Sequence, residues 1–292
     1  MTLQERLKAS LIAGLIGDSA GGFYEGTIKP KIEHLDHPWH SSDDTQLSIA
    51  TAQALMGHRQ ADAEAVAKRF LHWFNYGKLS GLGGSTIKAL KALQKGVPAK
   101  MSGNTGKYAA GNGAAMRIAP LAFCDLDPDE AYAGVRDLTA ITHRNLEAYA
   151  GALAVYFAID LAVKGKWKRD KESFRYIDKH LPATSVKQHI GHAGKYCDEL
   201  TIEAFADRFG CGGYVVESVP LALFAAAQMD IYDLESLFIQ LISVGGDTDT
   251  NCSICGQLVG AAKGMKAIPV HLFRRIETSE AYYRIEDVAE KW

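Results

Sequence analysis

Two stretches of this 292-residue chain gather acids beside hydroxyls: Ser42-Asp43-Asp44-Thr45 and Gly245-Gly246-Asp247-Thr248-Asp249-Thr250-Asn251. Each precedes an apolar-periodic segment, Leu47 to Leu55 in the first case and a helix-like run to Ala262 in the second. Each therefore reads locally as a helix start, with Ser42 as a cap and acids in a first turn that the helix dipole favours. Capping accounts less well for the second stretch, where two acids one residue apart follow paired glycines and are flanked by hydroxyls. Together the stretches offer Asp43, Asp44, Asp247 and Asp249 as carboxylates, with Ser42 and Thr250 as hydroxyl ligands. If they meet in space, four negative charges in a low-dielectric cleft require compensating cations, and two divalent ions supply them. All the donors are oxygens, which favours two Mg²⁺, with Mn²⁺ as the second choice and zinc disfavoured without clustered Cys or His. Neighbouring acids at a helix start can address two ions a few Å apart, the arrangement of two-metal hydrolytic sites.

The elements that must position these groups are helical. Apolar residues recur at helical spacing, as in Leu3, Leu7, Leu11 and again in Leu146, Tyr149, Leu153, Phe157, Leu161, whereas alternating β-branched runs are nearly absent. The fold class expected is all-α, as a single domain over residues 1–292. Asp127-Pro128-Asp129-Glu130 reads as an N-cap, a first-turn proline and a capping-box acid, opening a helix toward Thr142. A helix from Asn145 to Lys164 should stop at Gly165. Small-residue segments interrupt the pattern at Gly17–Gly26, Ser80–Thr86, Gly103–Gly113 and Gly245–Asn251, and chemistry is expected in these breaks between helices.

Composition narrows the function. Lys plus Arg total 32 against 34 Asp plus Glu, a formal charge of −2, so no strong positive field exists to collect nucleic acid or anionic membrane. Five cysteines, an odd number, suit free thiols in a reducing compartment, and a cytoplasmic protein is expected. No charge-free run reaches the ~18 residues needed to span a bilayer. Other motif readings fail on context. Asp247-Thr248-Asp249-Thr250 is similar to a haloacid-dehalogenase nucleophile loop, but neither the leading N-terminal strand nor the threonine required at position 251 is present. Gly17-Asp18-Ser19-Ala20-Gly21-Gly22 lacks dinucleotide-fingerprint spacing and follows a helix-like segment. Cys252 and Cys255 have no partner pair and read as small thiols on a helix.

A wider set of motifs resembles the ADP-ribosylglycohydrolase family, which includes the dinitrogenase-reductase-activating glycohydrolases. The set is Gly14-x-x-Gly17-Asp18-x-x-Gly21-x-x-x-Glu25, Ser42-Asp43-Asp44-Thr45, Gly111-Asn112-Gly113-Ala114-Ala115-Met116-Arg117-Ile118-Ala119-Pro120, His143 and Gly246-Asp247-Thr248-Asp249-Thr250-Asn251. It extends from about Leu11 to Gly264. The resemblance implies a compact all-α domain with a dinuclear magnesium site that hydrolyses the bond between C1 of a terminal ribose and an acceptor. It places Ser42, Asp43, Asp44, Asp247, Asp249 and Thr250 on metal-ligand positions, the same six that the charge argument selects, with serine at 42 where threonine is commoner.

The resemblance further implies an acid near metals and ribose at Glu25, a ribose or phosphate contact at His143 and an aromatic near the nucleoside at Tyr214, with Tyr108 as a weaker candidate for adenine stacking. Gly111, Asn112 and Gly113, before a helix expected to begin near Ala114, suit pyrophosphate, because exposed backbone N–H groups hold an anion without lysines. Arg117 is either a buried structural ion-pair partner or a ligand contact. Some arginine-directed relatives carry an acid at about the position of Gly81, and its absence weighs against arginine specificity. The expected reaction is metal-assisted glycoside hydrolysis, with Glu25, Asp44 or Asp249 activating water. The expected substrate is an ADP-ribosylated protein or small ADP-ribose conjugate, with nucleic acid only as a modified substrate. The rival readings are an inactive binding or structural relative and a metal-dependent phosphoesterase.

Overall fold

The computed structural model describes residues 1–292. Fifteen α-helices carry the fold: α1 (Leu3–Gly21), α2 (Asp43–Leu55), α3 (Ala63–Asn75), α4 (Gly84–Gln94), α5 (Ala99–Ser102), α6 (Pro128–Ala140), α7 (Leu146–Val163), α8 (Lys171–His180), α9 (Ser185–Tyr196), α10 (Ile202–Phe209), α11 (Val215–Ala226), α12 (Leu234–Val244), α13 (Thr248–Lys263), α14 (Val270–Arg274) and α15 (Glu280–Lys291). The only sheet is a parallel pair of two-residue strands, β1 (Asn104–Thr105) and β2 (His143–Arg144). One contiguous core of 85 buried residues runs through the single domain. The all-α expectation holds.

Several boundaries follow from local chemistry. The capping box at Asp127 and Glu130 opens α6, which ends at Ala140. Asn145 caps α7 by accepting from Glu147 and Ala148, and Gly165 at φ +67° follows its end. Helix α7 is long and apolar enough to cross a membrane by composition, yet 78% of it is buried inside the fold, where it forms the centre of the core.

The seam between α1 and α13 sets the geometry of the site. Gly14, Gly17 and Gly21 lie within α1, so the expected break at Gly17–Gly26 begins only after Gly21. Their lack of side chains lets two helix backbones touch. A β-carbon at Gly17 would stand 2.3 Å from the Cys252 carbonyl oxygen, and one at Gly256 would stand 2.3 Å from that of Ala13. Such overlap is not accommodated without moving the helices apart. Side chains cross-link the seam: Ser10 Oγ donates to the Gln257 carbonyl at 2.8 Å, and Thr248 Oγ1 to that of Gly21 at 2.8 Å. Glycine inside a helix costs about 1 kcal/mol relative to alanine, and here it permits the close contact that places Asp18 of α1 beside the first turn of α13.

The segment after Gly113 differs from expectation. No α-helix begins near Ala114. Two short 3₁₀ segments, Ala115–Arg117 and Ala119–Phe123, take its place and run under α2 and α7. A single 3₁₀ turn lacks the aligned peptide dipoles of a long helix, so the anion-binding argument for this loop loses its helix-dipole component.

Candidate active site

The two acidic stretches meet. Helix α2 starts at Asp43 with Ser42 as N-cap, and α13 starts at Thr248 with Asp247 at the cap position, so Asp43, Asp44 and Asp249 all stand in first turns. The Thr250 hydroxyl donates to Asp44 Oδ2 at 3.2 Å, joining the two helix starts directly. A cleft of about 250 Å³ opens in front of them, lined by 18 residues that include Glu25, Asp43, Asp44, Asp247, Asp249 and Thr250 on one side. Gly81, Gly83, Gly84, Thr86, Tyr108, Gly111, Gly113 and His143 form much of the rest. No lysine or arginine lines it.

Asp18, which the charge argument did not select, completes the cluster from below. It is fully buried on α1 and accepts from Ser42 N (2.9 Å), Ser42 Oγ (2.7 Å), Thr45 N (3.1 Å) and Thr45 Oγ1 (2.5 Å). It thereby caps the start of α2 from another helix and fixes how Asp43 and Asp44 enter the cleft. Ser42 Oγ consequently faces Asp18, and Ser42 does not line the cleft. A sequence signal for Asp18 existed: it is the lone acid in the last three turns of a helix otherwise made of small and apolar residues.

The carboxylates fall into two overlapping triads, Asp18, Asp44 and Asp249, and Glu25, Asp247 and Asp249, each with oxygens within 4.8 Å of one another. No Lys or Arg forms an ion pair with any of them. Burial, then the field of Asp18, pushes Asp43 up to about 8. Burial and the bond to Asp247 push Asp249 up to about 10. Asp44 is raised well above the usual carboxylate range by burial and by Asp249. Glu25, exposed at the cleft mouth, is raised as well, by partial desolvation and then by the charge of Asp247. Asp44 Oδ1 is buried without any hydrogen-bond partner. An orphaned carboxylate oxygen in a site of all-oxygen donors is the feature a hard divalent cation satisfies. The residues present fit such ions.

Glu25 is carried by the loop after α1, which is tied to the turn before α13. Gly26 N donates to the Gly246 carbonyl at 2.8 Å and Gly246 N to that of Thr27 at 3.0 Å. Gly245 and Gly246 have φ of +79° and +77°, and a β-carbon at Gly245 would stand 2.4 Å from the Thr27 oxygen. The paired glycines are thus the condition for bringing Glu25 against Asp247 and Asp249.

The remaining expected site residues divide. Asn112 is buried and turns inward, its Nδ2 donating to Asp247 Oδ2 at 2.7 Å and its backbone N–H to the Gly213 carbonyl at 3.3 Å. It orients an acid in place of offering a free amide to an anion. His143 lies between Gly111 and Gly113 and is held neutral, pushed down to about 3 by burial and by Arg117. Tyr214 pairs with Gly111 through an isolated bridge but stands outside the cleft wall at 45% exposure, whereas Tyr108 lines it at 86% exposure. Arg117 is buried, forms no ion pair and does not line the cleft. Its guanidinium donates to the Gly113 carbonyl from behind, so neither role expected for it describes its contacts. Gly81 has φ +77°, a conformation that disfavours any side chain there, acid included.

Fold and cleft together define an all-helical protein whose candidate site is built on clustered oxygen donors. The ADP-ribosylglycohydrolase family profile matches residues 1–292, and the chain belongs to that family of glycohydrolases acting on ADP-ribosylated substrates. It is similar to the ADP-ribosylhydrolase ARH3 of Homo sapiens, 25% identical over 90% of this chain and 87% of that one. It is also similar to the protein YegU of Escherichia coli K12, 28% identical over 83% of this chain and 80% of that one. The solved structure of an ADP-ribosylglycohydrolase-related protein complex superposes with a TM-score of 0.74 at 24% identity, covering 98% of this chain and 96% of that one.

Proposed function

We propose that this protein is a dinuclear, Mg²⁺-dependent hydrolase that cleaves the bond between C1 of ADP-ribose and an acceptor, releasing ADP-ribose from a modified protein, a small conjugate or a modified nucleic acid. The observation that carries this reading is the convergence of both acidic stretches on one cleft, with Asp44 Oδ1 buried and unpartnered. Asp43, Asp44, Asp247, Asp249 and Thr250 hold two Mg²⁺, for which Mn²⁺ can substitute, with Ser42 supporting the cluster from behind. Bound divalent ions would supply the positive charge that offsets these carboxylates and grips the ribose hydroxyls.

The chain's own residues do the remainder. Asp18 anchors Ser42 and Thr45 so that Asp43 and Asp44 stay aimed at the cleft. Asn112 fixes Asp247. Glu25, Asp44 and Asp249 are the catalytic candidates. The Glu25 carboxylate, raised and at the cleft mouth, accepts the proton of the attacking water, while the Asp44 and Asp249 carboxylates stabilise positive charge developing at C1. Gly111, Gly113, His143, Tyr108 and Tyr214 receive the pyrophosphate and nucleoside. Five free cysteines support a cytoplasmic setting.

The test is mass spectrometry of arginine-linked, serine-linked and nucleic-acid-linked ADP-ribose after incubation with protein and Mg²⁺. Release of intact ADP-ribose from at least one substrate is expected. Release of inorganic phosphate, or no product from any of them, would overturn the reading.

A further inference from the structure

Behind the glycine wall of the cleft, Arg117 and Thr142, which the proposed reaction does not itself use, form a buried hydrogen-bonded chain with His143. Arg117 is 2% exposed and Thr142 and His143 are 0% and 3% exposed. The Arg117 guanidinium lies over the Phe70 ring at 5.1 Å from its centroid. Its Nη1 donates to the Gly113 carbonyl, and its Nη2 donates to the Leu138 carbonyl at 3.3 Å and to Thr142 Oγ1 at 2.7 Å. Thr142 Oγ1 in turn sits 2.8 Å from His143 Nδ1. The pair β1 and β2 pins this end of the chain, since Asn104 N donates to the Thr142 carbonyl at 2.9 Å and Asn104 is in register with His143.

The direction of the protons follows from what each group can do. A guanidinium has donors only, so Thr142 Oγ1 accepts from Arg117. Thr142 has one hydroxyl proton, and His143 Nδ1 is the one remaining polar atom in contact with that oxygen. Were Nδ1 protonated, the buried threonine O–H would have no acceptor, a loss that folded interiors avoid. Nδ1 therefore accepts and the proton of the imidazole resides on Nε2. Nε2 makes no hydrogen bond within the protein and points at the cleft: a β-carbon at Gly111 would stand 3.3 Å from it, and one at Gly113 3.0 Å from Cε1. The two glycines leave the ring edge uncovered.

We propose that Arg117 and Thr142 are positioning residues that lock His143 in its Nε2–H form, so that a neutral imidazole donates to a ligand oxygen in the cleft. With ADP-ribose as the ligand, this rests on the function given above. The lock has a use there: a histidine free to flip between tautomers would present an acceptor nitrogen to a phosphate or hydroxyl oxygen for part of the time, whereas this one always presents a donor. The positive charge of Arg117 stays in the wall and acts on the ligand only through its neighbours.

The test uses the near-isosteric Thr142→Val, with Thr142→Ser as the conservative control. Two-dimensional ¹⁵N–¹H spectra of ¹⁵N-histidine protein, with His143 assigned by its loss in His143→Gln, report the tautomer without any ligand. Wild type and Thr142→Ser should show protonated Nε2 and unprotonated Nδ1 from pH 6 to 8, and Thr142→Val should show a mixture. Calorimetry with ADP-ribose and Mg²⁺ should find affinity about tenfold weaker in Thr142→Val, the size of one lost hydrogen bond, and near wild type in Thr142→Ser, with Mg²⁺ affinity unchanged in both. A wild-type His143 protonated on Nδ1, or a Thr142→Val protein with unaltered tautomer and affinity, would overturn the proposal. An intact Nε2–H tautomer that Thr142→Val abolishes, in a protein that fails to bind ADP-ribose, would uphold the lock and count against the function instead.

Discussion

On one side of the cleft, Asp43, Asp44, Asp247 and Asp249 crowd at the first turns of α2 and α13, backed by the buried Asp18. On the other, Gly81, Gly83, Gly84, Gly111 and Gly113 leave a wall of backbone, and its one histidine, His143, is held neutral. Both walls are polar, but they handle charge in opposite ways. The acidic wall rests on two helices welded by close glycine contact and gathers carboxyl groups that no basic side chain pairs with, which fits it for cations. The backbone wall carries no net charge and offers dipoles, which suits a pyrophosphate that the acidic wall would repel. The difference teaches how, under the proposed function, this weakly acidic chain would hold an anionic ligand without basic side chains.

The comparison breaks most completely on the acidic wall. Asp249→Ala removes the acid shared by both carboxylate triads, and turnover should fall to the uncatalysed background together with metal content, as should wild-type turnover after EDTA. Metal analysis alongside ADP-ribose release checks this, and full activity in the chelated protein would remove the cations from the mechanism. Glu25→Gln keeps the shape and loses the proton acceptor. Its kcat should drop by ~10² to 10⁴ with Mg²⁺ and ADP-ribose affinity retained, and near-normal kcat would transfer the role to Asp44 or Asp249.

The charge imbalance should also appear in stability. Asp43 and Asp249 are pushed up to about 8 and about 10 from an ordinary 3.8, so the folded metal-free protein keeps protons that the unfolded chain releases above pH ~4. That contribution is complete below pH ~4 and is lost as pH rises through the folded values. Tm in EDTA should therefore decline between pH 5.5 and 8, while Tm in Mg²⁺ declines less, because native-state binding offsets the repulsion. Parallel curves would show that the acids are compensated in some other way. The smallest effect belongs to the aromatics of the uncharged side. Tyr108→Ala should weaken ADP-ribose binding about three- to tenfold in calorimetry, the scale of one stacking contact, and more than Tyr214→Ala does, since Tyr108 lines the cleft and Tyr214 stands at its rim. The reverse order would give the nucleoside to Tyr214.

Much of this architecture is written in short-range chemistry. The helical period, the capping box at Asp127, the stop at Gly165 and the first-turn positions of Asp43, Asp44 and Asp249 are local properties, fixed by residues a few places apart, and the sequence suffices for them. The identity of the oxygen donors, and with it the preference for a hard cation, is equally local. Tertiary structure alone decided which groups face each other. Gly17 and Gly21 read as a break between helices until α13 is brought against them, because a glycine that permits a turn and one that permits close packing look the same in a chain. Asn112 reads as an anion contact in the chain and instead grips Asp247, 135 residues away, while Arg117 reads as either an ion-pair partner or a ligand contact and instead holds the Gly113 carbonyl from behind the cleft wall. Asp18 counts as a site residue only once α1 and α2 meet, since a buried carboxylate is defined by the donors that surround it, and Ser42 and Thr45 arrive from another helix.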